Sequence, residues 1–141
     1  MQDVEIEKNE IFMGRLAPGQ DLLQALEDLC KAKDARLGVI HGIGAVKKAV
    51  IGYFDQEAGN YIENRLNEPM EIVALNANIS ILHDRPFVHA HIALGDRKGR
   101  MYGGHLMPGT EIFVFEYELT IGEGLLKRRH DKDLNLNLWD V

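Results

Sequence analysis

The chain has a single cysteine, Cys30, so no intramolecular disulfide can form. Cys30 falls on the apolar side of an expected helix, where a small core residue is the natural reading. It has one serine, Ser80, with no Gly-x-Ser-x-Gly around it, which excludes the nucleophile elbow of a serine hydrolase. No Gly-Lys-Ser/Thr occurs, so there is no phosphate-cradling P-loop. No apolar run approaches the ~20 residues of a membrane-spanning helix, and no membrane partner is expected. The start, Met1-Gln2-Asp3-Val4-Glu5, lacks the basic and apolar regions of a signal peptide, so the expected location is the cytoplasm. Basic charge is short as well. With 16 Lys and Arg against 22 Asp and Glu, the net charge is −6, which opposes broad non-specific binding to nucleic acid. The one concentrated basic run, Lys127-Arg128-Arg129-His130, is followed at once by Asp131 and Asp133. It reads as a solvated strand end rather than a phosphate contact.

What is present describes one domain over residues 1–141, with length enough for a core. A first strand is expected over 10–16, with a fraying tail ahead of it. Pro18-Gly19-Gln20-Asp21 is a turn ending in the helix N-cap Asp21. From there Leu22, Leu23, Leu26, Leu29 and Cys30 recur at helical spacing, and the helix should stop near residue 35. The remainder reads as strands: 37–41, a break at Gly42-Ile43-Gly44, then 45–54, 61–66, 70–82, a loop over 83–86, a hairpin, 111–121 and a tail strand over 134–138. Ile112-Phe113-Val114-Phe115 is apolar on both faces, and so is much of 70–82. One helix cannot cover that much sheet, and the simplest further cover is another copy of the chain.

Three histidines carry the chemical signal. His89 and His91 lie in Val88-His89-Ala90-His91-Ile92, and His105 lies in Tyr102-Gly103-Gly104-His105-Leu106. In a strand, residues i and i+2 share a face, so His89 and His91 point together while Val88, Ala90 and Ile92 point to a core. Asp96-Arg97-Lys98-Gly99-Arg100 suits a three-residue hairpin loop with Gly99 in the left-handed conformation. That register pairs Asp96 with Arg100 and His91 with His105, and all three imidazoles converge. Three neutral imidazoles without a fourth protein ligand suit a divalent metal, zinc first, with one open position. The competing reading is a solvated or self-hydrogen-bonded histidine face. Gly103-Gly104 bears on the choice, because a bulge there would rotate His105 away.

Other constellations are weaker. Gly42-x-Gly44 lacks the third glycine of a dinucleotide fingerprint, since Lys47 stands in its place, and a strand follows. His41 reads as a hydrogen-bonded core histidine at the end of a buried strand rather than a fourth ligand. His83 reads as a surface loop residue.

Taken together, Pro18-Gly19-Gln20-Asp21-Leu22, Gly42-Ile43-Gly44-Ala45-Val46, Glu71-Ile72-Val73-Ala74-Leu75 and, above all, His89-Ala90-His91 with Gly103-Gly104-His105-Leu106 resemble the plant-and-prokaryote conserved (PPC) domain, over residues 15–136. The resemblance implies an α+β fold, a largely antiparallel sheet packed with one helix, a homotrimer, and a site between subunits lined by His89, His91 and His105. Members provisionally carry a DNA-binding label. The plant segment Gly-Arg-Phe-Glu-Ile is replaced here by Glu68-Pro69-Met70-Glu71-Ile72, and the Arg-Gly-Arg-Pro of an AT-hook is absent. The label therefore transfers with the domain more than with residues. Two functions compete. One is a trimeric binding and assembly module of gene-regulatory type with a three-histidine metal. The other is a metal-dependent hydrolase or lyase, for which Asp96, Glu111 and Glu116 are the candidate acid or base. A carboxylate within reach of the metal's open position would favour the enzyme, and an apolar or closed site the module.

Overall fold

The structure is a computed structural model that describes residues 9–141. The expected fraying tail and the residues read for a signal peptide lie outside the described residues. The elements in order are β1 (Asn9–Leu16), α1 (Leu22–Ala32), β2 (Gly38–Asp55), β3 (Asn60–Leu66), β4 (Met70–Leu82), β5 (Arg85–Gly95), β6 (Met101–Leu106), β7 (Glu111–Gly122), β8 (Arg128–Asp131) and β9 (Leu136–Trp139). The expected α+β class holds: one helix packs on a sheet whose strand pairs are all antiparallel.

The sheet runs β1-β7-β2-β4-β5-β6, with β3 also on β2. The 18-residue β2 organises it. Its first half pairs with β7 on one edge and β4 on the other. Its second half pairs with β3, and there Ile51 and Gly52 pair back onto Leu106 and His105 of β6. The path β2-β4-β5-β6-β2 therefore closes on itself.

Alternation sorts the two faces. On β4 and β5, Leu75, Ala77, Ile79, Val88, Ala90 and Ile92 are buried and join Leu22, Leu26 and Cys30 of α1 in one apolar cluster. Each fully buried leucine or isoleucine contributes roughly 1.5–3 kcal/mol. The opposite face carries Asn76, Asn78 and Ser80 of β4 beside His91, His89 and Phe87 of β5.

Five expectations change. Gly42-Ile43-Gly44 does not break the strand. β2 runs through with a register shift, and Gly42 is needed because a Cβ there would collide with the Phe115 ring. The helix stops at Ala32, with Lys33 as its C-cap, because Asp34 turns left-handed at φ 50°. The loop expected over 83–86 is only His83-Asp84, both at positive φ (50° and 58°) as a two-residue hairpin turn requires, and Arg85 and Pro86 already pair in β5. The tail strand begins at Leu136 because Asn135 (φ 54°) belongs to the turn before it, where its side chain donates to the Gly59 carbonyl at 2.8 Å. β8, read as a solvated end, pairs with β9 in a second small sheet.

Asp21 caps α1 as its position implied. Its Oδ1 accepts from Gln24 N at 3.0 Å, and its Oδ2 accepts from Gly109 N at 2.6 Å. One carboxylate thus satisfies a free helix N–H and also ties the helix start to the turn before β7. Asp21→Ala should cost about 1–2 kcal/mol, the upper part of the range for a lost N-cap, because the second bond goes with the first. A urea midpoint unchanged from wild type would refute this.

Candidate metal centre

The histidine hairpin forms in the anticipated register. Asp96 N donates to Arg100 O at 3.0 Å, Gly99 N donates to Asp96 O at 2.9 Å, and Gly99 has φ 76°. The Asp96 side chain locks the loop: Oδ1 accepts from Lys98 N at 2.8 Å and Arg100 N at 2.9 Å, and Oδ2 accepts from Arg100 Nε at 2.6 Å. His91 pairs with His105, and the ladder continues without a bulge through Gly104 and Gly103. Gly104 is required, since a Cβ on it would lie 2.6 Å from the Gly52 carbonyl oxygen where β6 meets β2.

The three imidazoles converge. One nitrogen from each of His89, His91 and His105 lies within 4.8 Å of the others. His89 and His105 are half-buried, while His91 is exposed. Burial pushes the His89 ring down to about 4, helped by the positive Arg128 and by His91. His105 is likewise pushed down to about 4 by burial, then by His89, His91 and Arg128. Both rings are therefore neutral, as metal ligands must be. His105 Nδ1 is buried with no hydrogen-bond partner among the described residues. A buried nitrogen left unpaired costs about 1–3 kcal/mol. Three close imidazole nitrogens, two rings held neutral and one orphaned ring nitrogen fit a divalent ion of zinc type.

A cavity of about 160 Å³ opens beside the cluster. Tyr61, Phe87, Leu136 and Leu138 form its apolar walls, and His89, His105, Asn137 and Arg128 its polar side. The Tyr61 ring lies 4.8 Å from His105. No lining residue carries a carboxylate. The candidate acids lie elsewhere: Asp96 in the hairpin loop, Glu111 bonded to Lys47 Nζ at 2.8 Å, and Glu116 opposite Ile43 on β7. His83 sits in its exposed turn. His41 is exposed rather than core, because it lies on the histidine face, where its Nδ1 meets Asn76 Oδ1 at 2.9 Å. Cys30 is buried, and its thiol is pushed up to about 12 by burial, which leaves it inert.

Arg128 was hidden inside the basic run. Strand alternation in β8 separates it from its neighbours. Lys127 and Arg129 face solvent, whereas Arg128 turns inward and donates to Ser80 Oγ, Asn78 Oδ1 and Asn137 O, each at 2.7 Å. The available sequence signal was the lone serine and two asparagines on the histidine face, which are acceptors in need of a donor.

Residues 5–124 match the family model of the Plants and Prokaryotes Conserved (PCC) domain, also written PPC. A metal-containing protein from Archaeoglobus fulgidus is 38% identical, with a TM-score of 0.93 and 99% of each chain covered. A plant- and prokaryote-conserved protein from Pyrococcus horikoshii is 33% identical, with a TM-score of 0.93, covering 100% of this chain and 98% of that one. A candidate DNA-binding protein from Bacteroides thetaiotaomicron is 27% identical, with a TM-score of 0.87, covering 92% and 91%. A 106-residue stretch is 37% identical to the bifunctional protein GlmU of Synechococcus sp.. It spans 74% of this chain but 16% of that protein.

The depressed histidines set a pH dependence. In the unfolded chain they take up protons near ~6.5, but in the folded chain only near 4. Between those values the unfolded state binds more protons, so stability present above ~6.5 is lost as pH falls toward 4. Metal-free protein should lose stability across this window more steeply than the variant His89→Gln, His105→Gln. Equal slopes in denaturant titrations at several pH values would refute the assignment.

Proposed function

The chain belongs to the Plants and Prokaryotes Conserved domain family, and from that membership we propose that it is a cytoplasmic homotrimeric binding and assembly module of gene-regulatory type, built around a divalent metal, zinc first, held by His89, His91 and His105. The observation that carries the reading is the convergence of three ligand nitrogens within 4.8 Å. The relative from Archaeoglobus fulgidus, described as metal-containing, supports it at 38% identity. When bound, such an ion supplies a Lewis acid with one open coordination position. The chain's own residues do the rest. The hairpin fixes the three rings, the apolar walls restrict water, and Arg128 sets a positive charge beside them. A cavity without a carboxylate favours the module over the hydrolase or lyase, which would need an acid or base within reach.

The homotrimer is supported by apolar side chains left in solvent on the sheet. Met13 is 82% exposed, Ile11 63% and Phe113 61%. Met13 stands in the cross-strand row that continues through Glu118, His41, Asn76, His91 and His105. The unpaired apolar face and the histidines therefore share one side of the sheet, opposite α1. A subunit packed there would cover the first and border the second.

Direct DNA contact receives little support from the residues, although the Bacteroides thetaiotaomicron relative is described in those terms. Of the basic run, Arg128 is turned inward and Arg129 is paired with Asp140 at 3.0 Å. Assembly would also multiply a net charge of −6.

Purified protein should sediment at three times its 15.9 kDa chain mass and carry about one zinc per chain by elemental analysis of the same peak. The triple variant His89→Ala, His91→Ala, His105→Ala should carry none. A monomer would overturn the assembly, and undiminished metal in the variant would overturn the site. Labelled duplex DNA at ~0.15 M salt should bind weakly and without sequence preference. Sub-micromolar, sequence-selective binding would restore direct DNA recognition as the function.

A further inference from the structure

Arg128 is the one arginine of the chain that is not exposed. Arg36, Arg65, Arg100 and Arg129 each meet a carboxylate. Among the described residues Arg128 meets none: its three bonds go to the Ser80 hydroxyl, the Asn78 amide oxygen and the Asn137 carbonyl, all neutral. Its guanidinium also lies 5.0 Å from the Phe87 ring and 5.8 Å from the Trp139 ring. This cation is fixed by packing and by three acceptors but not neutralised. Guanidinium has five N–H donors, so one on each terminal nitrogen stays uncommitted. Two N–H donors are the number that a carboxylate takes when arginine holds both its oxygens.

Two further features define the missing partner. First, Arg128 lines the same cavity as His89 and His105, and no lining residue is acidic, so a divalent ion on the histidines would add positive charge beside positive charge without any internal counter-ion. Half-buried charges of like sign are costly, and an anion between them relieves both. Second, the cavity is about 160 Å³. Pockets for drug-sized ligands run to ~300–1,000 Å³, so the size of this one suits a much smaller molecule than a nucleotide. The walls formed by Tyr61, Phe87, Leu136 and Leu138 suit a short hydrocarbon tail, not the hydration shell of inorganic phosphate.

We propose that this cavity binds a small aliphatic carboxylate, its charge held by Arg128, its tail against Tyr61, Phe87, Leu136 and Leu138, and its binding coupled to that of the metal. The inference rests on the three-histidine metal reading and gives that site its ligand class. Coupling is reciprocal: the acid tightens metal binding by the factor by which the metal tightens the acid.

The test uses the full chain loaded with cobalt(II), whose visible absorption reports the histidine site directly. Butyrate, its neutral isostere butyramide and inorganic phosphate are titrated in turn. Butyrate should shift the cobalt bands saturably and raise cobalt affinity, while butyramide and phosphate should be weaker by about tenfold or more, the worth of one charge-assisted contact. Arg128→Met should still bind cobalt but lose butyrate affinity by a similar factor, and Arg128→Lys, which keeps the charge, should retain part of it. Absence of cobalt bands in wild type would overturn the metal reading and this inference with it. Cobalt bands that ignore butyrate, or that respond equally to butyramide or phosphate, would overturn the inference alone. So would an Arg128→Met variant that binds butyrate like wild type.

Discussion

The close approach of β6 to β2 holds the molecule in its shape. Gly104 rests against the carbonyl of Gly52 with no room for a side chain between them. That contact lets a sheet begun by the first half of β2 return to its second half. An open sheet would leave β6 as an edge strand with unpaired N–H and C=O groups. Closed, it fixes His105 in position against His91 on one side and Tyr61 on the other. Two glycines on different strands thereby set the geometry of an imidazole cluster to which neither contributes an atom.

The site combines groups that would be unstable together without their surroundings. Histidines in solution accept protons near ~6.5, yet here burial, a neighbouring guanidinium and one another hold two of them neutral. The guanidinium is in turn steadied by neutral acceptors, Ser80, Asn78 and Asn137, which orient it without discharging it. A structural ion pair would have used an aspartate. The choice of amide, hydroxyl and carbonyl leaves a field directed into the cavity.

Much of this was legible in the sequence where the cause was local. The hairpin loop, its Gly99 turn and the pairing of His91 with His105 follow from a period of two and a short loop, and these rules act over a few residues. The N-cap Asp21 and the apolar stripe of α1 are local in the same sense. What escaped was set by distant parts of the chain. The Gly42-Gly44 stretch looked like a break because glycine weakens a strand, but Gly42 admits the Phe115 ring and Gly44 the backbone of Val114 from β7. His41 looked buried because its strand is apolar, yet strand alternation places it on the wet face. Arg128 looked like one member of a charge run, and only the pairing of β8 with β9, beside β4, separates it from Lys127 and Arg129.

The site also has an order of manufacture. A ribosome has delivered all three imidazoles by residue 105, within one hairpin whose strands meet through a three-residue loop. Hairpins of this kind close in ~1–10 μs, far faster than the chain lengthens. The guanidinium arrives later, on a strand that needs the end of the chain for its partner. A nascent chain interrupted between residues 106 and 127 would thus carry the three imidazoles without the positive group that later stands beside them.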